Sequence, residues 1–446
     1  MRNERRSNCH TTPVLRSKLS AAISSHRNKS QPLIPDRNRD SKLNPRLQAI
    51  CREAIAWRQD IHRHPELGFD VERTSGFVAK QLRSFGFDEV ATGIGRTGVV
   101  GRLKGRNGSC TNAGNVAFRA DMDALPIHEQ TDVAHRSAHV GKMHACGHDG
   151  HTAMLLAAAK YLAETRDFPN EIAFVFQPAE EVSGGAAEML ADGLIENFGI
   201  GRAFALHNLP GLAVGAFAVR VGPIMAASDV VTIEITGTGG HAAFPHTCVD
   251  PVIVGASILL NMQTIVSRGV SPLESAVVTF PIFEAGTAVN VIPAKVVLRG
   301  AIRTLNPQVR QNVLARITEI SRAAGIAFGI DVRTTFENGY PATVNDADSV
   351  TMLREATERI PTVALTENCD PLLATEDFSY ILSRVPGALA FIGNGDTARL
   401  HQPLYDFNDE ALVYGASFWV SMAQGKRLSL VTRHNPTLGT LIERSS

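Results

Sequence analysis

Leu47, Ile50, Ala54, Trp57 and Ile61 recur at three- and four-residue spacing, which predicts an amphipathic helix ended by His64-Pro65. Phe77, Val78, Leu82 and Phe85 predict a second helix, closed near Gly86. Short apolar runs occur next at 97–103, 115–120, 171–176 and 203–206, and residues 151–164 between two of them read as a helix. Strands alternating with helices predict an α/β domain built on a largely parallel sheet.

The pattern changes near residue 225. Residues 229–236 read as a strand, 250–267 as a helix, 275–283 and 295–303 as strands, 307–324 as a helix and 328–336 as a strand. That β-α-β-β-α-β order is the ferredoxin-like split unit, and about 110 residues suffice for a domain. The α/β pattern then resumes, with a helix at 348–359, a strand at 388–393 and a final helix at 409–423. The expected division is a tail over 1–45, a catalytic α/β domain over 46–224 and 338–446, and an inserted α+β domain over 225–337.

Composition changes this picture mainly at the N-terminus. The chain has 446 residues, 44 Lys/Arg against 44 Asp/Glu, and 44% hydrophobic residues, so it can bury a large core and carries no overall signal for nucleic acid. Residues 1–46 nevertheless hold eleven Lys/Arg and three acids, a net of +8 balanced by −8 in the rest. That Ser/Arg/Asn-rich stretch lacks apolar periodicity and is expected to be disordered. Its composition is also that of an organellar transit peptide; the plainer reading is a non-functional extension or an early start codon. No apolar h-region marks it as secretory, and no run of eighteen apolar residues predicts a membrane span. Six scattered cysteines without paired spacing (Cys9, Cys51, Cys110, Cys146, Cys248, Cys369) suggest a reducing compartment, and a cytoplasmic location is expected.

In open α/β sheets, ligands sit beyond the carboxyl ends of the strands. Four predicted strands deliver polar, metal-type side chains there: Asp121 and Asp123, Glu180 and Glu181, His207, and His401. The densest group is His144-Ala145-Cys146-Gly147-His148-Asp149-Gly150-His151, and a Cys-x-His spacing can aim thiolate and imidazole at one divalent metal. Taken singly, each has a plainer reading: a core cysteine with Asp149 as a helix cap, a solvated Glu pair, satisfied histidines. Adjacent carboxylates can also divide labour, one binding metal while the other moves a proton.

At these residues the chain resembles the amidohydrolase branch of the M20 metallopeptidases, with hippurate hydrolases and hydrolases of indole-3-acetyl (IAA) amino acid conjugates as nearest kin. The matching stretches are Arg63-His64-Pro65-Glu66-Leu67-Gly68, Phe118-Arg119-Ala120-Asp121-Met122-Asp123-Ala124-Leu125-Pro126-Ile127, Met143-His144-Ala145-Cys146-Gly147-His148-Asp149 and Gln177-Pro178-Ala179-Glu180-Glu181. They continue through Leu206-His207-Asn208, Gly239-Gly240-His241, Thr287-Ala288-Val289-Asn290-Val291-Ile292-Pro293, Thr375-Glu376-Asp377-Phe378-Ser379 and Leu400-His401. The resemblance covers about residues 46–425. It implies two adjacent divalent metals (Mn, Zn or Co) on Cys146, His148, Glu181, His207 and His401, with Glu180 as general base. It also makes the inserted domain a lid and dimerisation domain in a homodimer. His241 there would be catalytic, with Asn290 and Arg303 contacting the substrate carboxylate or the developing oxyanion. The implied substrate is a small N-acyl amino acid of the hippurate or IAA-conjugate type, with neither nucleic acid nor membrane as partner. Asp121 and Asp123 are expected to support the centre, Asp123 by orienting a metal-binding imidazole. Competing readings are a dipeptidase, carboxypeptidase or N-acetyl-diaminopimelate deacylase on the same fold, and a catalytically inactive metal-binding protein.

Overall fold

The structure, a computed structural model, describes residues 43–106, 114–182 and 184–425. The basic tail expected to be disordered lies outside them, except for its last three residues. The first helix runs Pro45–Arg63; Asn44 Oδ1 accepts from the amides of Arg46 and Leu47, and Pro45 takes the first helical position. The second runs Glu72–Ser84.

The main sheet has eight strands. In spatial order they are Glu89–Ile94, Gly98–Lys104, Glu171–Gln177, Asn115–Asp121, Ile200–Leu209, Gly387–Gly393, Ala216–Val219 and Ala364–Glu367. The central four (171–177, 115–121, 200–209, 387–393) are mutually parallel, and antiparallel pairings flank them. Alternation along each strand splits its side chains between two faces. Phe118, Phe174, Ala390 and Ile392 join a core with the long helices Pro45–Arg63, His148–Thr165 and Ala411–Ala423. Ala117, Ala173, Val175, Leu389 and Phe391 join a second core beneath Gly185–Ala191, Leu194–Phe198 and Phe378–Leu382. The result is a mixed α/β fold with helices on both faces of the sheet. The four central strands all run toward the end where Asp121, Gln177, His207 and Gly393 lie.

A separate four-stranded sheet is wholly antiparallel, in the order Ala276–Glu284, Lys295–Thr304, Ala227–Thr236, Asp331–Asn338. Helices Pro251–Thr264 and Pro307–Phe328 pack against it around Val231, Ile233, Ile235, Ile258, Val296 and Leu298. This is the strand order of a ferredoxin-like split unit. The helix expected over 250–267 is α-helical only to Thr264 and continues as a π-helical turn, Ile265–Gly269. Together these residues are long and apolar enough to cross a membrane by length and composition, although no continuous apolar run exists. Their inward residues Val254, Ile258 and Met262 pack on the sheet, while Ile253, Leu260 and Val266 are exposed.

The elements missed from sequence are short or lie at sheet edges. Glu89–Ile94 is an edge strand with no fully buried position and a register shift at its end, and Ala216–Val219 and Ala364–Glu367 have four residues each. None offers enough alternation to register as a strand.

Candidate active site

Each predicted ligand is placed by a local backbone requirement. Cys146 and His148 flank Gly147, whose φ of 88° lies in the left-handed region. A Cβ there would fall 2.3 Å from Asn208 Nδ2 and 2.4 Å from Tyr405 Oη, so only glycine turns the chain from Cys146 into the helix His148–Thr165. Asn208 Nδ2 donates to the Cys146 carbonyl at 2.5 Å, and Tyr405 Oη donates to Asn208 Oδ1 at 2.8 Å. Glu180 and Glu181 follow strand Glu171–Gln177 through Ala179, at φ 54°, and His401 itself adopts φ 63°. Non-glycine residues in that region persist where surroundings over-determine them, commonly at functional sites.

The side chains converge. Cys146 Sγ lies 3.6 Å from His207 Nε2, and His401 Nε2 lies 3.3 Å from Glu181 Oε1. His148 Nε2 lies 3.8 Å from Glu181 Oε1 and 3.7 Å from Asp121 Oδ2. Donor atoms of Cys146, His148 and His207 form one group within 4.8 Å, and those of Cys146, Glu181 and His401 form another. All five expected ligands are thereby brought together in two clusters that share Cys146. Glu180 stands beside them with His148 and Glu181.

The donor set fits a divalent cation. His148 Nδ1 donates to the Asp123 carbonyl and His207 Nδ1 to the Asn208 carbonyl, both at 2.8 Å, so each imidazole turns its Nε2 inward. His148 Nε2 and Glu181 Oε1 are buried without a hydrogen-bond partner. Burial, with His151 and His148 close by, holds His207 down at about 3 and keeps its ring neutral. For His148 burial acts the other way from Asp121, Asp123 and Glu181, and the carboxylates prevail, lifting the ring to about 10. Burial and then Glu181, Glu180 and Asp121 push the Cys146 thiol well above its ordinary value. Burial, Glu376 and Glu181 likewise push Glu180 up. Crowded carboxylates beside a thiol are the setting in which a divalent ion makes the largest electrostatic difference.

The polar residues around the cluster depart from expectation. The Asp123 carboxylate accepts the amides of Glu180 at 3.0 Å and Glu181 at 3.1 Å; its backbone carbonyl, not its carboxylate, is the group that makes the 2.8 Å bond to His148. Asp121 Oδ1 accepts from His151 Nδ1 at 2.6 Å, and His151 Nε2 accepts the Asn208 amide at 2.9 Å, so both ring nitrogens of His151 are engaged. Asp149 is not a cap: it sits in the first helical turn and accepts from His62 Nδ1 at 2.8 Å. His144 is buried with both ring nitrogens unpartnered and stands outside the metal-type groups.

Sequence reading gave no role to Arg119, Glu376 or Asp377. Buried Arg119 contacts Asp121 Oδ2 at 2.8 Å, and Glu376 Oε1 and Asp377 Oδ1 at 2.9 Å each. Glu180, Glu376 and Asp377 carry carboxylate oxygens within 4.8 Å of one another, so this guanidinium is the counter-charge for the acids grouped with Glu180. The clue was present in the chain: an arginine inside an apolar strand, Phe118-Arg119-Ala120, requires buried partners.

The three residues expected from the inserted domain join none of these donor groups and make no hydrogen bond or ion pair to them among the described residues. His241 and Asn290 share a small bridge in which His241 pairs with Val291 and the Ala242 amide donates to the Asn290 carbonyl at 3.0 Å. Both are exposed, and His241 Nδ1 accepts only the Ala243 amide, at 3.1 Å. Half-buried Arg303 donates to the Ile302 carbonyl and has no ion-pair partner among the described residues, so it is not a salt-bridged strand end.

Residues 117–425 match the model of peptidase family M20/M25/M40. The hippurate hydrolase of Campylobacter jejuni is 39% identical over 385 residues, covering 85% of this chain and 98% of the relative. The N-acetyl-L-cysteine deacetylase of Bacillus subtilis is 37% identical over 381 residues, covering 85% and 89%. Among solved structures, the Bacillus subtilis YXEP protein, a dinuclear metal-binding peptidase of the M20 family, superposes with a TM-score of 0.74 at 30% identity, covering 84% of this chain and 98% of that one. The donor cluster at the strand ends and likeness over nearly the whole length of these hydrolases lead to one conclusion: the chain belongs to peptidase family M20/M25/M40 and is an amidohydrolase.

Proposed function

We propose that the chain hydrolyses the amide bond of N-acyl amino acids at a two-cation centre held by Cys146, His148, Glu181, His207 and His401. The convergence of those five donors into two groups that share Cys146 carries this reading. When bound, two divalent ions (Mn, Zn or Co) supply Lewis acidity to a water and to the substrate carbonyl. Glu180 is the general base. Its carboxylate takes a proton from the attacking water and returns it to the leaving amine nitrogen, a task favoured by a carboxyl whose affinity for protons is raised. Asp123 fixes the turn that presents Glu180 and Glu181, and Arg119 balances the acids behind it.

Residues 225–337 form the lid and dimerisation domain of a homodimer on this reading. Ile253, Leu260 and Val266 on the helix side and Val277, Ile282 and Phe283 on edge strand Ala276–Glu284 are exposed, and a second copy would cover them. His241 from that copy then donates to the developing oxyanion, while Asn290 and Arg303 hold the substrate carboxylate. The proposed location is the cytoplasm.

The test is a substrate panel on purified, metal-loaded protein: hippurate, N-acetyl amino acids, indole-3-acetyl amino acids, N-acetyl-diaminopimelate and dipeptides, with metal analysis alongside. Metal-dependent turnover of acyl amino acids with about two ions per chain is expected. Turnover confined to dipeptides would move the reading to a peptidase. Metal binding without any turnover would leave a metal-binding protein.

A further inference from the structure

The turn that carries Glu180 and Glu181 is clamped from several sides. Asp123 accepts both of their amides, and Asp377 Oδ2 accepts the Ala186 amide at 2.9 Å. One further clamp comes from the path of the chain between the two sheets. Tyr340 lies just beyond Asp331–Asn338, the last strand of the four-stranded sheet, and its Oη donates to the Glu180 carbonyl at 2.7 Å. The Tyr340 carbonyl accepts the Ser228 amide at 2.9 Å, at the start of strand Ala227–Thr236, where the chain enters that sheet. The outgoing and returning crossings are therefore joined at the residue that holds the base.

The ring of Tyr340 is also fixed. It packs edge-on against Tyr380, with centroids 5.8 Å apart at 75°. A Cβ on Gly184 would lie 3.4 Å from the Tyr380 ring and 3.7 Å from the Tyr340 ring, so the two aromatics cover the same turn. Burial, with Asp377 and Glu180 close by, pushes the Tyr340 phenol above its ordinary value, so its hydroxyl remains a donor.

We propose that Tyr340 is a positioning residue for Glu180, tying the main chain of the base to the crossing between the two sheets so that a shift of the four-stranded unit reaches the catalytic turn. This rests on Glu180 being the general base. Misplacing a reacting group by a fraction of an ångström slows chemistry without weakening substrate binding. Tyr340→Phe keeps the ring and removes the hydroxyl. Its kcat should fall roughly tenfold, the scale of one lost hydrogen bond, with KM within about twofold of wild type. Metal content should be unchanged. Tyr380→Phe, which loses only a 3.4 Å bond to the Gly339 carbonyl, should stay within about twofold of wild type in kcat. Hydrogen exchange of the peptide spanning 178–187 should speed up in Tyr340→Phe, a readout that stands even if the activity assignment fails. Wild-type kcat in Tyr340→Phe, or unchanged exchange of that peptide, would overturn the proposal. So would equal loss of kcat, metal and thermal stability, which marks a merely structural residue. Tyr340→Leu, which removes the ring as well as the hydroxyl, should lose more kcat than Tyr340→Phe.

Discussion

The two sheets treat their functional side chains in opposite ways. At the carboxyl ends of the parallel strands, Cys146, His148, His207 and Glu180 are buried, and hydrogen bonds accepted by Asp123 and donated by Asn208 and Tyr340 hold them and the backbone around them. On the four-stranded unit, His241 is exposed on a two-residue bridge and Asn290 is exposed beside it, and Arg303 has no acidic partner among the described residues. A buried and cross-braced group is shaped for a task its own chain can complete. An exposed imidazole held by one backbone amide and the Phe244 ring gains a task only when something is brought to it. On the function proposed above, the reaction centre is built within one chain and completed from a second copy.

The sharpest way to break this division is Glu180→Gln. The amide keeps the shape of the side chain and cannot accept the proton, so turnover should fall by ~10²-fold or more while two-metal binding stays nearly intact. Metal analysis and steady-state kinetics on one preparation decide it; activity within a few-fold of wild type would remove Glu180 from the base role.

His241→Ala tests the other side. Loss of one oxyanion donor typically costs ~10²–10³ in rate. Because His241 makes no hydrogen bond or ion pair with the cluster of its own chain among the described residues, His241→Ala and Glu180→Gln proteins mixed under conditions of subunit exchange should regain activity. One composite site in such a heterodimer has both wild-type groups. Absence of recovery with exchange confirmed would mean that His241 acts within its own chain or not at all.

The buried side also predicts how stability responds to pH. His62 lies between Asp149, 2.8 Å from Nδ1, and Glu129, 3.3 Å from Nε2; Arg58 approaches Asp149, and the rings of His135 and His144 pack nearby. Burial opposes its charge, but Asp149 and Glu129 outweigh burial and raise the ring to about 9. A raised histidine stabilises the fold fully below its unfolded value near 6.5 and loses that contribution as pH rises through about 9. The loss is on the order of 3 kcal/mol. Urea midpoints between pH 6 and 10 should therefore decline in wild type and stay flatter in His62→Gln. Parallel curves would show that His62 is neutral in the fold.

Much of this arrangement was legible in the sequence because strand ends and ligand types coincide. The runs ending near Asp121, Gln177 and His207 are apolar, and each gives way to acids or imidazoles at its carboxyl end. Asp123 was harder to place, because its carboxylate serves backbone amides of a turn some fifty-seven residues away. Pattern along the chain carries no trace of such a pairing. Tyr340 was hidden for the same reason: its partner is a carbonyl, which every residue has. Arg119 could have been questioned from the sequence alone, but its partners Glu376 and Asp377 are more than two hundred and fifty residues distant and only the folded sheet brings them near.

The smallest expected effect separates binding from chemistry on the four-stranded unit. Arg303 sits on strand Lys295–Thr304, paired with Ser228 on one side and Val277 on the other. On the same strand Lys295 meets Glu234 at 2.5 Å and Arg299 approaches Glu337 at 3.9 Å, whereas among the described residues Arg303 donates only to a neighbouring carbonyl. A guanidinium with no carboxylate of its own is suited to one that arrives with the substrate, through the paired N–H geometry that favours carboxylates. Arg303→Met removes the charge and keeps much of the stem. KM for an N-acyl amino acid should then rise about tenfold, the scale of one exposed charge-assisted contact, with little change in kcat. The same substrate converted to its carboxamide supplies the control: wild type and variant should handle it alike, because the group that Arg303 recognises has been removed. An equal KM increase on both substrates would mean that the mutation altered the shape of the strand, and Arg303 would lose its assignment to the substrate carboxylate.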